Sequence, residues 1–186
     1  DLRDYYNKWY RPDLDAIIIV GDIRPAEVEA KIKQLFGTIP HPEHAAERVY
    51  YPVADNDEII VATDRDSEQP IMLATLFMKH NAVSDGEKNT IGYLRNSYIE
   101  SLIVSMLNSR LQELQHQTVP PVLSATAHSG SFLVSKTKDA FWLSFGCRQE
   151  NVKGSFDAVI AESERARRYG FMKSELQRAQ ERQMRM

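Results

Sequence analysis

Residues 87–117 have the sequence EKNTIGYLRNSYIESLIVSMLNSRLQELQHQ, and this stretch decides the fold. Its apolar residues recur at steps of three and four, which is typical of a helix with one broad apolar face. The stripe comprises Ile91, Leu94, Tyr98, Leu102 and Met106, and Ile99, Ile103 and Leu107 widen it. Pro120 and Pro121 follow, and the residue before a proline is disfavoured in helical geometry. The sequence therefore predicts a long core helix, with Asp85 placed to cap it, that ends just before a new strand.

Apolar runs on both sides of the long helix predict strands. The runs are residues 58–63 and 71–78 before the helix, and 122–127, 132–134 and 140–145 after it. Short polar turns separate the later runs, which favours antiparallel pairing. Asn151 and Gly170 are typical end residues of a further helix, and residues 173–186 have a charged helical pattern.

Residues 1–37 contain another set of elements. Residues 2–9 and 25–36 predict helices, and the β-branched run Ala16–Val20 between them predicts a strand covered on both faces. Gly21 ends this run, but a dinucleotide-binding turn needs three glycines for its bend and its phosphate contact. A nucleotide site is therefore the weaker interpretation.

Residues 38–57 differ in character, with several prolines and charges and no sustained period. We interpret this segment as a linker and place a domain boundary near residue 45. The predicted domains are residues 1–45, which include the start of the linker, and residues 46–186. The order of helices and strands indicates an α+β fold, in which helices pack on an antiparallel or mixed sheet.

The cluster His41-Pro42-Glu43-His44 is the one local pattern that suggests a metal. A proline between the histidines favours irregular backbone, and Glu47 in the same loop is a weak third ligand. The other histidines lie apart without ligand spacing, at His80, His116 and His128. We therefore interpret the cluster as a solvated loop and predict no metal site.

Composition argues against several classes of function. With 186 residues, a formal net charge of −3 and a pI near 6.0, the chain lacks the basic character that nucleic-acid binding requires. No run approaches the roughly 18 apolar residues of a membrane span. Cys147 is the single cysteine, so it forms no disulfide within the chain.

The order of several motifs is informative. LRDYYNKWYRPD at residues 2–13 precedes AIIIVGD at residues 16–22 and a helix that ends LFG at residues 35–37. This order resembles the end of the catalytic domain in the insulinase/pitrilysin family of zinc metallopeptidases. The second domain of that family has residues similar to Gln69-Pro70-Ile71, Ser109-Arg110-Leu111, Gly170-Phe171 and residues 175–179. The resemblance covers nearly the whole chain and implies the family's repeated α+β domain. It implies that residues 1–45 are the tail of the upstream catalytic domain plus linker, and that residues 46–186 are the following inactive partner domain, truncated at its C-terminus.

The family's zinc site is an inverted H-x-x-E-H on a helix, in which two histidines bind the metal and the glutamate activates water. This pentad is absent from the sequence, so the resemblance implies no catalytic and no metal-binding residue here. The catalytic half and its zinc are expected upstream of Asp1, in a longer parent protein. Where related second domains contact substrate through an Arg and a Tyr, this chain has Gln115 and Val122, so it resembles an inactive partner domain.

The implied parent is a bacterial zinc metalloendopeptidase that degrades peptides in a closed chamber. The partners of this chain would then be the upstream catalytic domain and the peptide substrate, although the sequence assigns no substrate-binding residue. The main alternative is a structural or assembly subunit of the same fold without peptidase activity, and an unrelated stand-alone binding module is a third. The resemblance favours the periplasm or cell envelope as the location.

We predict that the purified, tag-free chain contains no stoichiometric zinc and cleaves no peptide, because it lacks the pentad and presents His41 and His44 from a loop. Elemental analysis and a peptide-cleavage assay test this. A stoichiometric zinc that disappears when both histidines are replaced by alanine would contradict the prediction.

Overall fold

The computed structural model describes residues 1–185, which fall into two units. The first unit comprises residues 1–49, and the second begins at Tyr50. The assignment of the first part to the tail of an upstream domain stays a prediction. No helix among the described residues is both long and apolar enough to cross a membrane.

The first unit contains two helices, α1 (Leu2–Trp9) and α2 (Pro25–Phe36), and both confirm the sequence predictions. The Arg11 guanidinium is buried and donates to the carbonyl of Ala46 at 2.7 Å, which ties the start of the unit to its end.

The strand predicted at Ala16–Val20 is wrong, because this run forms no strand in the structure. Ile18 and Val20 are 85% and 92% exposed. A β-branched run favours extended backbone, but a strand also needs a partner for its ladder hydrogen bonds. Residues 1–49 contain no such partner.

The second unit contains all the strands of the described chain: β1 (Met72–Asn81), β2 (Ser124–Ser131) and β3 (Lys138–Cys147). Its helices are α3 (Asp85–Lys88), α4 (Ile91–Gln115), α5 (Val152–Tyr169) and α6 (Lys173–Met184). The strands form one antiparallel sheet in the order β1-β3-β2, with Met72 opposite Cys147 and Ser124 opposite Gly146. The predicted α+β class is therefore confirmed. The predicted last helix runs to Met186, which lies outside the described residues.

Two predicted strands of the second unit are wrong. Residues 58–63 form no strand. Residues 132–134 form a turn, because Leu133 has a φ of 50° and the backbone N–H of Ser135 donates to the carbonyl of Phe132 at 2.9 Å. The run at residues 58–63 thus pairs with no strand of the described sheet, and residues 132–134 form the turn that joins β2 to β3.

The cap predicted for the long helix is also wrong. Thr90 caps α4, because its hydroxyl accepts a hydrogen bond from the backbone N–H of Tyr93 at 3.1 Å. Asp85 lies instead at the start of α3, which is capped by Ser84. A polar residue before a helix identifies the cap only once the first turn is located.

The main core of the second unit lies between the sheet and the C-terminal half of α4. Leu107 and Leu111 are 4% and 0% exposed and belong to one buried cluster with Leu143, Phe145 and Val159. This cluster joins α4, β3 and α5, so it fixes the helices on one face of the sheet.

Leu102 and Met106 are buried in a second cluster with Ala179 of α6. The predicted stripe is therefore confirmed in the second half of α4. In the first half it is exposed, since Ile91 and Leu94 are 85% and 69% exposed.

Arg110 joins three helices through a buried ion-pair cluster. Its Nε and one Nη donate to the two carboxylate oxygens of Glu175 at 2.6 Å and 2.8 Å, and its other Nη lies 3.5 Å from Glu162. It also donates to the carbonyl of Gly170 at 3.0 Å and lies over the ring of Phe171 at 4.7 Å. The three charged side chains are each about nine-tenths buried. Arg110, Gly170, Phe171 and Glu175, which belong to three separate sequence motifs, are thus in contact in the structure.

The cluster changes the acidity of Glu175. Its hydrogen bonds from Arg110 stabilise the carboxylate and lower the pKa of Glu175 to about 2, against about 4.3 in an unfolded chain. The resulting stabilisation is therefore complete above the unfolded pKa and is lost as the pH falls toward the folded pKa.

We predict that Leu102→Ala lowers the free energy of unfolding by about 2–5 kcal/mol, because it leaves a cavity between α4 and α6. Denaturant unfolding followed by circular dichroism measures this. Leu94→Ala is the matched control on the exposed half of α4 and is expected to change the value by less than about 0.5 kcal/mol. Equal effects of the two changes would show that the buried face is misplaced.

We predict that Glu175→Gln lowers the free energy of unfolding at pH 7 by up to about 3–5 kcal/mol, the usual cost of removing one partner of a buried ion pair. The variant should also lose less stability than the wild type between about pH 4.3 and pH 2, because the wild type must protonate Glu175 in that range. Denaturant unfolding across this range measures both effects.

Glu164→Gln is the control for this experiment, because Arg167 and Arg168 also lower the pKa of Glu164, but on an exposed helix surface. Surface ion pairs stabilise little, so this variant should behave like the wild type at pH 7. A Glu175→Gln variant as stable as the wild type would contradict the role of the cluster.

Candidate functional site

The end of α4 and the loop after it hold the two positions that the resemblance associates with substrate contact. Gln115 donates through Nε2 to the carbonyl of Ala125 at 3.3 Å, and Val122 is 1% exposed within the main core. The loop between them is held down, because the Ser155 hydroxyl donates to the carbonyl of Pro121. Val122 is therefore closed to a substrate, and the Gln115 amide contacts the edge of β2.

The histidines of the described chain do not converge on a metal site. His41 and His44 are exposed in a loop of the first unit. Among residues 1–185, no three side chains of His, Cys, Asp or Glu are placed to hold a metal ion. The residues of this chain therefore do not fit the zinc that the family's catalytic domain uses.

The outer edge of β2 faces α4 rather than another strand. The side-chain amide of Asn108 donates to the carbonyl of Ala127 at 2.9 Å, and its oxygen accepts from the backbone N–H of Ala127 at 2.7 Å. Gln115 bonds to Ala125, which is the previous outward-facing residue of the strand. Helix side chains thus cover two successive positions of this edge.

Beyond Ala127 a groove opens between β2 and the first half of α4. Backbone groups on the edge of an antiparallel sheet point outward at every second residue, so those of Ser129 and Ser131 face the groove. Among residues 1–185, no side chain hydrogen-bonds to the backbone of Ser129. The opposite wall carries a row of hydroxyls one turn apart, at Ser97, Ser101 and Ser105.

The lining of the groove has two basic side chains (Lys, Arg) and two acidic ones. Lys88 and Arg182 lie among its lining residues, and so do Glu100 and Asp139. The Glu100 carboxylate accepts from the Ser129 hydroxyl at 2.6 Å. Lys88 is held by Asp85 at 3.0 Å, and this hydrogen bond raises the pKa of Lys88. The groove therefore suits a neutral ligand rich in hydrogen-bonding groups rather than a strong anion or cation.

A tryptophan lies close to the groove and provides a spectroscopic signal. The ring of His128, which lines the groove, stacks on Trp142 with centroids 5.3 Å apart and planes at 20°. Phe77 lies against the same indole at 6.0 Å. A ligand that moves the His128 ring would therefore change the surroundings of Trp142.

Sequence reasoning missed this site. Asn108 precedes Ser109-Arg110-Leu111, yet an asparagine inside a helix carries no signal that it bonds to a strand edge. The serines Ser97, Ser101 and Ser105 recur at steps of four, which places them on one helix face and was the one available signal. Their partner across the groove, β2, is recognisable only from the fold.

Comparisons with known proteins agree with this fold. Residues 1–183 match the family described as the Peptidase M16 inactive domain. The probable zinc protease PqqL of Escherichia coli (strain K12) is 27% identical over 180 residues, which is 94% of this chain and 18% of that protein. The probable zinc protease PqqL of Haemophilus influenzae (strain ATCC 51907 / DSM 11121 / KW20 / Rd) is 29% identical over 127 residues, 67% of this chain and 13% of that protein.

Solved structures are similar over most of the chain. The periplasmic protease PqqL from Escherichia coli has a TM-score of 0.73 and 26% identity, with coverage of 96% of this chain and 19% of that one. A mutant of the ferredoxin protease FusC in complex with Arabidopsis ferredoxin has a TM-score of 0.68 and 23% identity, covering 95% and 19%, and it supports the fold alone. The chain thus spans about a fifth of these proteins. Because the family match extends over residues 1–183, the resemblance to the insulinase/pitrilysin metallopeptidases is confirmed, and this chain belongs to the Peptidase M16 inactive domain family.

Proposed function

We propose that this chain is a non-catalytic partner domain of a zinc metalloendopeptidase and that it holds extended peptide along the open edge of β2. The observation that carries the proposal is the outward-facing backbone of Ser129 at the base of the groove. The names of the relatives as zinc proteases support the peptidase setting.

The chemistry of the groove favours a polypeptide as ligand. An extended peptide presents one N–H and one C=O on each side at every second residue, which matches the spacing of an open sheet edge. The hydroxyls of Ser97 and Ser105 supply further donors and acceptors on the opposite wall. The Ser101 hydroxyl between them already donates to the carbonyl of Tyr98 at 2.8 Å and accepts from Gln183 at 2.7 Å. Most of this recognition uses the peptide backbone, so the groove would accept many sequences.

In this proposal, another domain supplies the catalytic residues. The chain supplies no group of zinc ligands among residues 1–185, so the metal and the residue that activates water would lie in the upstream catalytic domain. A groove that holds one part of a peptide would raise the local concentration of the rest of the peptide at that distant site.

The periplasm is the compartment that we propose for the parent. A relative with 26% identity and a TM-score of 0.73 is described as a periplasmic protease. In that compartment unfolded polypeptide would be a suitable substrate class, because backbone recognition along an edge strand does not require a particular sequence.

We predict that the chain binds the neutral peptide Lys-Thr-Val-Thr-Val-Thr-Glu and that binding changes the fluorescence of Trp142. Trp9→Phe removes the other indole, so the signal then reports on Trp142 alone. Ser129→Pro should weaken binding by about tenfold or more, which corresponds to at least about 1.4 kcal/mol. The reason is that proline removes the outward N–H and leaves the hydrogen bonds to β3 in place.

Ser129→Ala is the matched control, because it removes only the hydroxyl that contacts Glu100. We expect its affinity to stay close to that of the wild type. Loss of binding in both variants would indicate that the hydroxyl, and not the strand edge, is the contact. A wild-type chain that binds no extended peptide at millimolar concentration would sink the peptide-holding role and favour the structural or assembly subunit of the same fold.

A further inference from the structure

We infer that Asn108 is a positioning residue that sets where on β2 a bound peptide can pair. This inference rests on the proposed function, because it concerns the register of the peptide in the same groove. Asn108 closes the edge at Ala127, so pairing can begin only at Ser129.

The geometry of Asn108 copies that of a neighbouring strand. Its carboxamide makes both hydrogen bonds that a peptide group would make to Ala127, at 2.9 Å and 2.7 Å. A short polar side chain that satisfies both backbone groups of one residue leaves no donor or acceptor there for a ligand. The outward backbone N–H and C=O of Ala127 are therefore both hydrogen-bonded, whereas those of Ser129 are open to a ligand.

Asn108 is also held firmly in place. Its neighbour Leu107 is 4% exposed, and Leu111 in the next turn of α4 is 0% exposed, so this part of the helix cannot retreat without opening the core. Arg110 anchors the same turn to Glu175. The packing of the core therefore holds Asn108 in position against Ala127.

This closure determines the register of a ligand. A peptide paired with Ser129 must end or turn away from β2 before it reaches Ala127. In a strand, a slip by one residue moves every side chain to the other face. A fixed stop would therefore confine the pairing to Ser129 and the residues after it, and would set which end of the peptide must leave the edge.

Nuclear magnetic resonance on the isotope-labelled chain with the neutral peptide Lys-Thr-Val-Thr-Val-Thr-Glu tests the inference. In the wild type we expect nuclear Overhauser contacts from the peptide backbone to Ser129 and Ser131 and none to Ala127. Amide exchange should slow at Ser129 when peptide binds and should already be slow at Ala127 without it. Contacts from the peptide backbone to Ala127 would overturn the role of Asn108.

Asn108→Ala should remove this stop. The amide of Ala127 should then exchange quickly in the free chain, become protected when peptide binds, and show backbone contacts to the peptide. Asn108→Asp retains an acceptor for the N–H of Ala127 but no donor for its carbonyl, so we expect one additional peptide amide to become protected. Gln112→Ala, an exposed change on the same helix, should behave as the wild type.

The outcomes separate the two proposals. If peptide never protects Ser129 in any variant, the groove is not the peptide site, and the proposed function fails at this position. If Ser129 is protected but Ala127 in a folded Asn108→Ala variant is not, the groove stands and Asn108 sets no register. Should that variant fail to fold, the wild-type contact map and Asn108→Asp still decide the question.

Discussion

The ion pair between Arg110 and Glu175 is the constraint on which the second unit depends. A guanidinium that is about nine-tenths buried requires partners for its donors, and it finds them on α5 and α6 and in the turn between them. Only one mutual arrangement of the three helices satisfies all of these bonds. Since Asn108 and Leu111 lie on the same turn of α4, the ion pair also fixes where that helix meets the edge of β2.

Local patterns in the sequence predicted the parts that depend on local chemistry. The 3.6-residue period gave α4, and the stop signal at Gly170 matches its positive φ of 69°. The pattern also gave the middle of β3 and the first part of β1, although both strands extend beyond the predicted runs 140–145 and 71–78. The failures at residues 16–20 and 58–63 have one cause: a β-branched run favours extended backbone, but pairing depends on a second strand that no local pattern supplies.

The candidate site was beyond sequence reasoning for a related reason. Its central contact joins the side chain of Asn108 to the backbone of Ala127, and backbone groups are the same at every residue, so no residue type identifies them. The motif Ser109-Arg110-Leu111, which is recognisable in the sequence, lies on the same turn of α4 as Asn108. The structure shows that the arginine of this motif serves the fold, while the residue just before the motif meets the strand.

The same end of α4 explains why this domain is a partner rather than a catalyst. The resemblance associates positions 115 and 122 with substrate contact in related domains. Here Gln115 donates to the carbonyl of Ala125 on the edge of β2, and Val122 is buried in the main core. Replacing Val122 with a tyrosine would add bulk to a packed core. The closed part of the edge therefore runs from Ala125 to Ala127, and the open part, at Ser129, lies in the groove beside the serines of α4. The proposed peptide site thus lies further along the same strand than the residues that Gln115 and Val122 contact.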